Sequence, residues 1–141
     1  MSLSIYQRYL DNVPKQYKFL KLFRPPIYVI ELSNNQVLAV CHYKDGSSKR
    51  HQVNADFSNR RLVIADFLPA VHAIDDLLLR FPKHVFALNG FAVVNVTEEL
   101  TDGLTSIEVK VIREAVWVAS RQAKRKIISI TVSYQGQVAS Q

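Results

Sequence analysis

The chain has 141 residues, of which 48% are hydrophobic and 21% are charged, with only four glycines and five prolines. This composition excludes a disordered or low-complexity chain, and the length suits one domain with its own core. The formal net charge of +6 favours acidic partners, a class that includes nucleic acid, anionic lipid and an acidic protein face.

The cysteine count and the hydropathy of the chain bear on its cellular compartment. Cys41 is the single cysteine, so an internal disulfide is excluded. No apolar run reaches the length of a membrane span, and the N-terminus does not resemble a secretory signal peptide. These features predict a cytoplasmic protein.

Residues 1–26 interleave aromatic and basic side chains. One or two short helices are predicted here, ending at Pro25 and Pro26, because a proline disfavours helix at the residue before it. Such a segment is typical of a membrane interface, but a helix packed on the domain's own sheet explains it equally well. The side chains that would contact a membrane or another anion are Lys18, Phe19, Lys21, Phe23 and Arg24.

Three strands are predicted next. Residues 27–32 and 37–43 are rich in β-branched and apolar side chains, and the polar residues 33–36 join them as a turn. A weaker strand follows at residues 49–55. The pattern predicts an antiparallel three-stranded meander.

Two helices and three further extended segments complete the predicted elements. Asp66 is predicted to cap a helix whose apolar residues recur at helical spacing, namely Phe67, Val71, Ile74, Leu78 and Phe81. Residues 85–88 and 91–96 are predicted to be extended. A last strand is expected at residues 127–132.

The stretch at residues 103–124 predicts a long helix. Thr105 and Glu108 have the spacing of a capping box, in which each side chain satisfies a backbone N–H at the helix start. At about 100° per residue, one broad face should be buried, and its members are Ile107, Val111, Ile112, Ala115, Val118 and Ala119. Another surface would remain outside and form an interface, comprising Val109, Arg113, Val116, Trp117 and Arg121. A tryptophan that merely lies over the stems of its basic neighbours is the competing interpretation.

Three stretches, in the right order, resemble the first subdomain of MreB-type bacterial actin-like proteins, the rod shape-determining family. GLTSIEVKVIREAVWVA at residues 103–119 resembles a helix start and body of that family. VIADF at residues 63–67 resembles the segment that leads into the preceding helix. YVIELSNN at residues 28–35 resembles the opening strand and first phosphate loop.

The resemblance and the predicted elements together indicate an α/β domain, with α+β left open. The expected fold is a single actin-like, ribonuclease H-like subdomain at residues 27–134, with a mixed sheet of about five strands in the order β-β-β-α-β-α-β. Residues 1–26 would be an N-terminal helical extension, often membrane-binding in the family. Residues 135–141 would be a flexible tail.

The nucleotide site that the resemblance implies is degenerate in this chain. In the family, an acidic residue is followed by Leu-Gly-Thr, because a glycine lets backbone N–H groups approach the phosphates of ATP. Here Ser33 stands at the glycine position, and residues 131–133, Thr-Val-Ser, stand where an acidic residue is expected. The chain also ends before the family's second lobe. No cofactor and no ATPase activity are therefore expected.

Other chemistry has little support. His42, His51, His72 and His84 lie on different elements, without the spacing of metal ligands, so no metal and no catalytic site are predicted. A basic patch at Lys124, Arg125 and Lys126 complements the dipole of a helix C-terminus, although it could contact nucleic acid. The sequence thus predicts a non-enzymatic module that binds another protein or a second copy of itself, at the inner face of the membrane. The alternative is a basic nucleic-acid-binding protein.

Overall fold

The computed structural model describes residues 2–59, 62–82, 90–98, 100, 103–135 and 137–140. Within these ranges the α-helices are α1 (Ser2–Asp11), α2 (Lys18–Lys21), α3 (Phe67–Leu79) and α4 (Ser106–Gln122), and a 3-10 turn spans Lys15–Tyr17. The strands are β1 (Ile27–Ser33), β2 (Gln36–His42), β3 (Ser48–Asn54), β4 (Gly90–Val96), β5 (Ile127–Tyr134) and β6 (Gln137–Ser140).

The strands form one mixed sheet in the order β3-β2-β1-β4-β5-β6. Strands β1, β2 and β3 are the predicted antiparallel meander, whereas β4 runs parallel to both β1 and β5. Parallel neighbours need a crossover connection, and α3 and α4 provide the two crossovers. The mixed α/β fold and the order β-β-β-α-β-α-β are therefore confirmed.

The main core lies between the sheet and the helices α3 and α4. Alternate residues of the central strands point toward this side, and they include Ile30, Leu32, Val94, Val96 and Val132. Each helix adds a buried stripe: α3 contributes Val71, Ile74, Leu77 and Leu78, and α4 contributes Val109, Ile112, Ala115 and Val116. Of the predicted apolar residues, Val71, Ile74, Leu78 and Phe81 are buried in this core, and Phe67 is half-buried against it.

A second, smaller core lies on the opposite face of the sheet. Tyr6, Leu10 and Val13, from α1 and the turn after it, pack on Ile27, Val29 and Phe91 of β1 and β4. The Tyr6 hydroxyl donates a hydrogen bond of 2.6 Å to the Pro25 carbonyl oxygen. The first part of the N-terminal segment is therefore packed on the domain's own sheet.

The capping box at the start of α4 is confirmed. The Glu108 N–H donates to the Thr105 hydroxyl over 3.2 Å, and the Thr105 N–H donates to the Glu108 carboxylate over 2.8 Å. Asp66 holds the equivalent position before α3, but its side chain accepts no capping hydrogen bond. The predicted cap of α3 is therefore correct in position and wrong in its bonding.

The buried face of α4 differs from the predicted one. Ile107 is 73% exposed, whereas Val109 and Val116 are 5% and 1% exposed. Apolar residues cover about 200° of this helix, so periodicity alone does not decide which part is buried. Because α4 packs against both α3 and the sheet, the buried arc is rotated toward Val109 and Val116. Their assignment to an outer interface is wrong.

The chain after β5 also differs from the prediction. Residues 135–141 were expected to be a flexible tail, but Gln137–Ser140 forms β6, which pairs antiparallel with β5. Tyr134 lies opposite Gln137 at the connection, and Ser133 lies opposite Val138. The extended segment predicted at residues 85–88 lies outside the described residues.

Candidate functional site

The outer surface of α4 carries a half-exposed tryptophan. Trp117 is 44% exposed, and the Arg121 guanidinium carbon lies 4.6 Å from the centroid of its ring. This distance is that of a cation–π contact, which holds the ring in place without covering it. The sequence prediction that Trp117 and Arg121 lie together is confirmed. The contact fits both interpretations, a docking site and a ring resting on its basic neighbour.

An open cleft runs beside this tryptophan. It has a volume of about 540 Å³ and is lined by Lys110, Arg113, Glu114, Trp117 and Ile130. Its α4 residues occupy an arc of about 100°, and the β5 residue supplies an apolar wall. Because α4 also contacts β6, the cleft lies between the helix and the β6 edge of the sheet. We call it the α4–β6 groove.

Sequence reasoning missed three members of this groove. The interface predicted from the sequence does not include Lys110, Glu114 or Ile130. The spacing of Lys110, Arg113, Glu114 and Trp117, three or four residues apart, was the available signal. The contribution of Ile130 needs the sheet topology, which places β5 beneath α4.

The segment around α2 exposes a second apolar surface. Phe19, Leu22 and Phe23 are 69%, 76% and 51% exposed, and the rings of Phe19 and Phe23 are in edge contact with centroids 5.9 Å apart. Lys18 and Arg24 are exposed beside them, and Lys21 is half-buried. Sequence reasoning missed Leu22, although the spacing of positions 19, 22 and 23 predicts one helical face.

The other side of the same segment anchors it to the domain. Tyr17 and Leu20 pack against the second core, and the Tyr17 ring lies 6.0 Å from that of Phe91. Packing on the domain's own sheet therefore accounts for the first part of residues 1–26 and for Tyr17 and Leu20. The α1 side chains are buried in the second core, whereas the three apolar side chains around α2 face outward.

The loop that resembles a phosphate loop is tied to the protein's own groups. The Asn34 N–H donates to the Glu98 carboxylate over 3.1 Å. The side-chain oxygen of Asn35 accepts hydrogen bonds from the Phe57 and Ser58 N–H groups over 2.9 and 2.7 Å. A phosphate loop needs several unoccupied N–H groups and no adjacent carboxylate. In this turn the Asn34 N–H is already bonded, and the Glu98 carboxylate lies beside it.

A row of polar residues crosses the sheet next to that loop. Glu31, Asn95 and Ser133 are neighbours across β1, β4 and β5, on the face opposite α3 and α4. The Ser133 hydroxyl donates a hydrogen bond to the Asn95 side-chain oxygen. The row contains a single carboxylate, so it lacks the paired acids that acid–base or metal chemistry uses.

His42 and Cys41 lie in structural contacts on β2. His42 stacks on Tyr9 with ring centroids 5.5 Å apart, and burial lowers its pKa. Cys41 is buried on the other side of the strand, and burial raises its pKa to about 12, so its thiol stays protonated at neutral pH. No group of three His, Cys, Asp or Glu side chains in the described ranges could hold a metal ion. His84 lies outside those ranges.

The basic patch at the end of α4 is partly structural. The Arg125 guanidinium donates to the Phe81 carbonyl oxygen over 2.7 Å and to the Ala123 carbonyl oxygen over 2.8 Å, which joins the C-terminal ends of α3 and α4. Lys124 has a φ of 56° and continues the chain past the helix end. Lys124 and Lys126 are exposed. The predicted patch therefore presents two lysines, and its arginine faces the carbonyl groups.

Comparison with known proteins finds a distant likeness to solved structures. No protein-family model and no curated protein matches the chain. Among solved structures, the ethanolamine utilization protein EutJ from Carboxydothermus hydrogenoformans matches with a TM-score of 0.49 and 12% identity. The match covers 77% of this chain, which spans 37% of the length of EutJ. A likeness at this level carries no inference about function.

Proposed function

We propose that this domain is a non-enzymatic protein-interaction module related to bacterial actin-like cell-shape proteins. The exposed ring of Trp117 beside the α4–β6 groove is the observation that carries the proposal. Tryptophan and arginine are the residues most enriched at the centres of protein interfaces, and here Arg113 and Arg121 border the ring. The partner is another protein or a second copy of the chain.

The replacement of Trp117 by alanine tests this proposal. Association should be lost, measured by sedimentation velocity for self-association and by pull-down from the source cell for a partner. The free energy of unfolding should fall by no more than about 1 kcal/mol, because the ring is half-exposed. Leu79→Ala is the control, since Leu79 is 54% exposed on α3. Unchanged association in Trp117→Ala would leave the ring as surface packing.

We further propose that the module acts at the cytoplasmic face of a membrane. The exposed side chains of Phe19, Leu22 and Phe23, with Lys18 and Arg24 beside them, support this location. Aromatic rings enter the boundary between head groups and acyl chains, while cations attract anionic head groups. No helix in the part of the chain that the structure describes is long and apolar enough to span a bilayer.

The module is expected to bind no ATP. The Asn34 N–H already donates to the Glu98 carboxylate, whose negative charge would repel a phosphate at this turn. Titration calorimetry with millimolar Mg-ATP should therefore show no saturable heat. Saturable binding in the micromolar range would contradict the prediction that the domain binds no ATP.

A further inference from the structure

The two edges of the sheet differ in a way that matters for association. The outer strand β3 has the sequence SKRHQVN, and Lys49 and Arg50 are exposed on it. Charges on an edge strand prevent pairing with another chain. The other edge strand, β6, has the sequence QVAS, with no charged residue and no proline. Val138 on β6 is 59% exposed. In the part of the chain that the structure describes, the β3 edge is therefore protected by charge, whereas the β6 edge is not.

The open edge lies beside the α4–β6 groove. In an antiparallel pair, alternate residues direct their N–H and C=O groups away from the partner strand. Within the described ranges, β6 is hydrogen-bonded to β5 alone, so its outer backbone groups would face a strand added next to the groove. An added strand would place every second side chain toward α4.

The charges of the groove determine which kind of segment can pair with β6. Lys110, Arg113 and Arg121 lie on the outer surface of α4, and Glu114 is the carboxylate among the described residues that line the groove. The apolar wall formed by Ile130 and the ring of Trp117 lies among them. A segment with carboxylates at alternate positions would match the cations.

We propose that β6 and the α4–β6 groove bind an acidic, extended segment of a partner protein, which pairs with β6 as an additional strand. Its carboxylates lie against Lys110, Arg113 and Arg121, and its apolar side chains contact the exposed surface beside Val138. Strand addition supplies main-chain hydrogen bonds, and the alternating side chains supply specificity. This assignment rests on the proposed function and names the chemistry of the partner.

Charge favours a different protein over a second copy of this chain. Two copies related by a twofold axis and paired through β6 would bring their two clusters of Lys110, Arg113 and Arg121 close together. Like charges across an interface disfavour association. The net charge of +6 adds to the same repulsion.

The test uses the complete 141-residue chain and peptides of about eight residues, the length of an ordinary strand. One peptide alternates glutamate with valine, a second alternates glutamine with valine, and a third is the acidic peptide with alternate backbone nitrogens methylated. Trp117 is the only tryptophan, so its emission reports directly on the groove. The fluorescence anisotropy of a fluorescein-labelled peptide gives its affinity for each protein variant.

The acidic peptide should shift Trp117 emission to the blue in a saturable manner. The glutamine peptide should bind at least about tenfold more weakly, and added salt should weaken binding of the acidic peptide. Arg121→Glu should weaken binding of the acidic peptide by a similar factor. Arg50→Glu on β3 makes the same change of charge and should leave the affinity unchanged. The methylated peptide should lose binding, because it keeps the charges and lacks the N–H donors.

The results separate this inference from the proposed function. If the methylated or the glutamine peptide binds as well as the acidic one, or if no peptide binds, the assignment of an acidic added strand is wrong. The proposed function still stands in those cases when Trp117→Ala abolishes association with a protein. Both fail when Trp117→Ala leaves every association unchanged and no peptide binds.

Discussion

Tyr6→Ala is expected to lower the free energy of unfolding by roughly 3–5 kcal/mol, the range for removal of a buried aromatic ring. Tyr6 is fully buried between α1 and the sheet, and its hydroxyl is bonded to the Pro25 carbonyl oxygen. Alanine would lose both the packing and the hydrogen bond. Tyr6→Phe should cost only about 1 kcal/mol, because it removes the hydrogen bond alone.

Urea unfolding followed by circular dichroism measures both changes. Leu22→Ala serves as the control, because Leu22 is 76% exposed and its loss should change stability by less than about 0.5 kcal/mol. A Tyr6→Ala protein as stable as the control would show that α1 is not packed on the sheet. The N-terminal segment would then be a separate extension.

The double substitution Phe19→Asp with Phe23→Asp is expected to abolish binding to anionic vesicles without unfolding the domain. The two exposed rings are the apolar part of the surface around α2, and two aspartates would be repelled by anionic head groups. Co-sedimentation with vesicles of phosphatidylcholine and phosphatidylglycerol measures binding, and pure phosphatidylcholine vesicles show its dependence on charge.

A matched variant separates the site from the change of charge. Leu68 and Leu79 are 64% and 54% exposed on α3, so Leu68→Asp with Leu79→Asp removes two exposed apolar side chains and adds the same charge elsewhere. This control should keep most of the binding. Equal loss in both variants would point to net charge alone, and no binding by the parent protein would remove the membrane from the proposed function.

Much of the fold is predictable because its signals are local. The β-branched runs, the polar turn before Gln36 and the capping box at Thr105 each act within a few residues, and all three appear in the structure. The parallel pairing of β1, β4 and β5 follows from the alternation of strands and helices.

The incorrect predictions concern features that depend on contacts between residues far apart in the sequence. The apolar arc of α4 is wider than the face that the sheet and α3 can cover, so Ile107 is exposed while Val109 and Val116 are buried. Strand β6 has a short polar sequence without a strong strand pattern, and its pairing with β5 is what orders it. The α4–β6 groove depends on both features, and of its lining residues the sequence therefore predicts only Arg113 and Trp117.

Site-specific photo-cross-linking in the source cell tests the central claim most directly. A benzophenone amino acid at position 117 should give a covalent adduct with another protein, and the acidic alternating peptide should compete with it in an extract. The same group at position 50, on the charged edge strand β3, should give none. Equal adducts at both positions, or none at position 117, would contradict the account of the α4 outer surface as a protein-binding site.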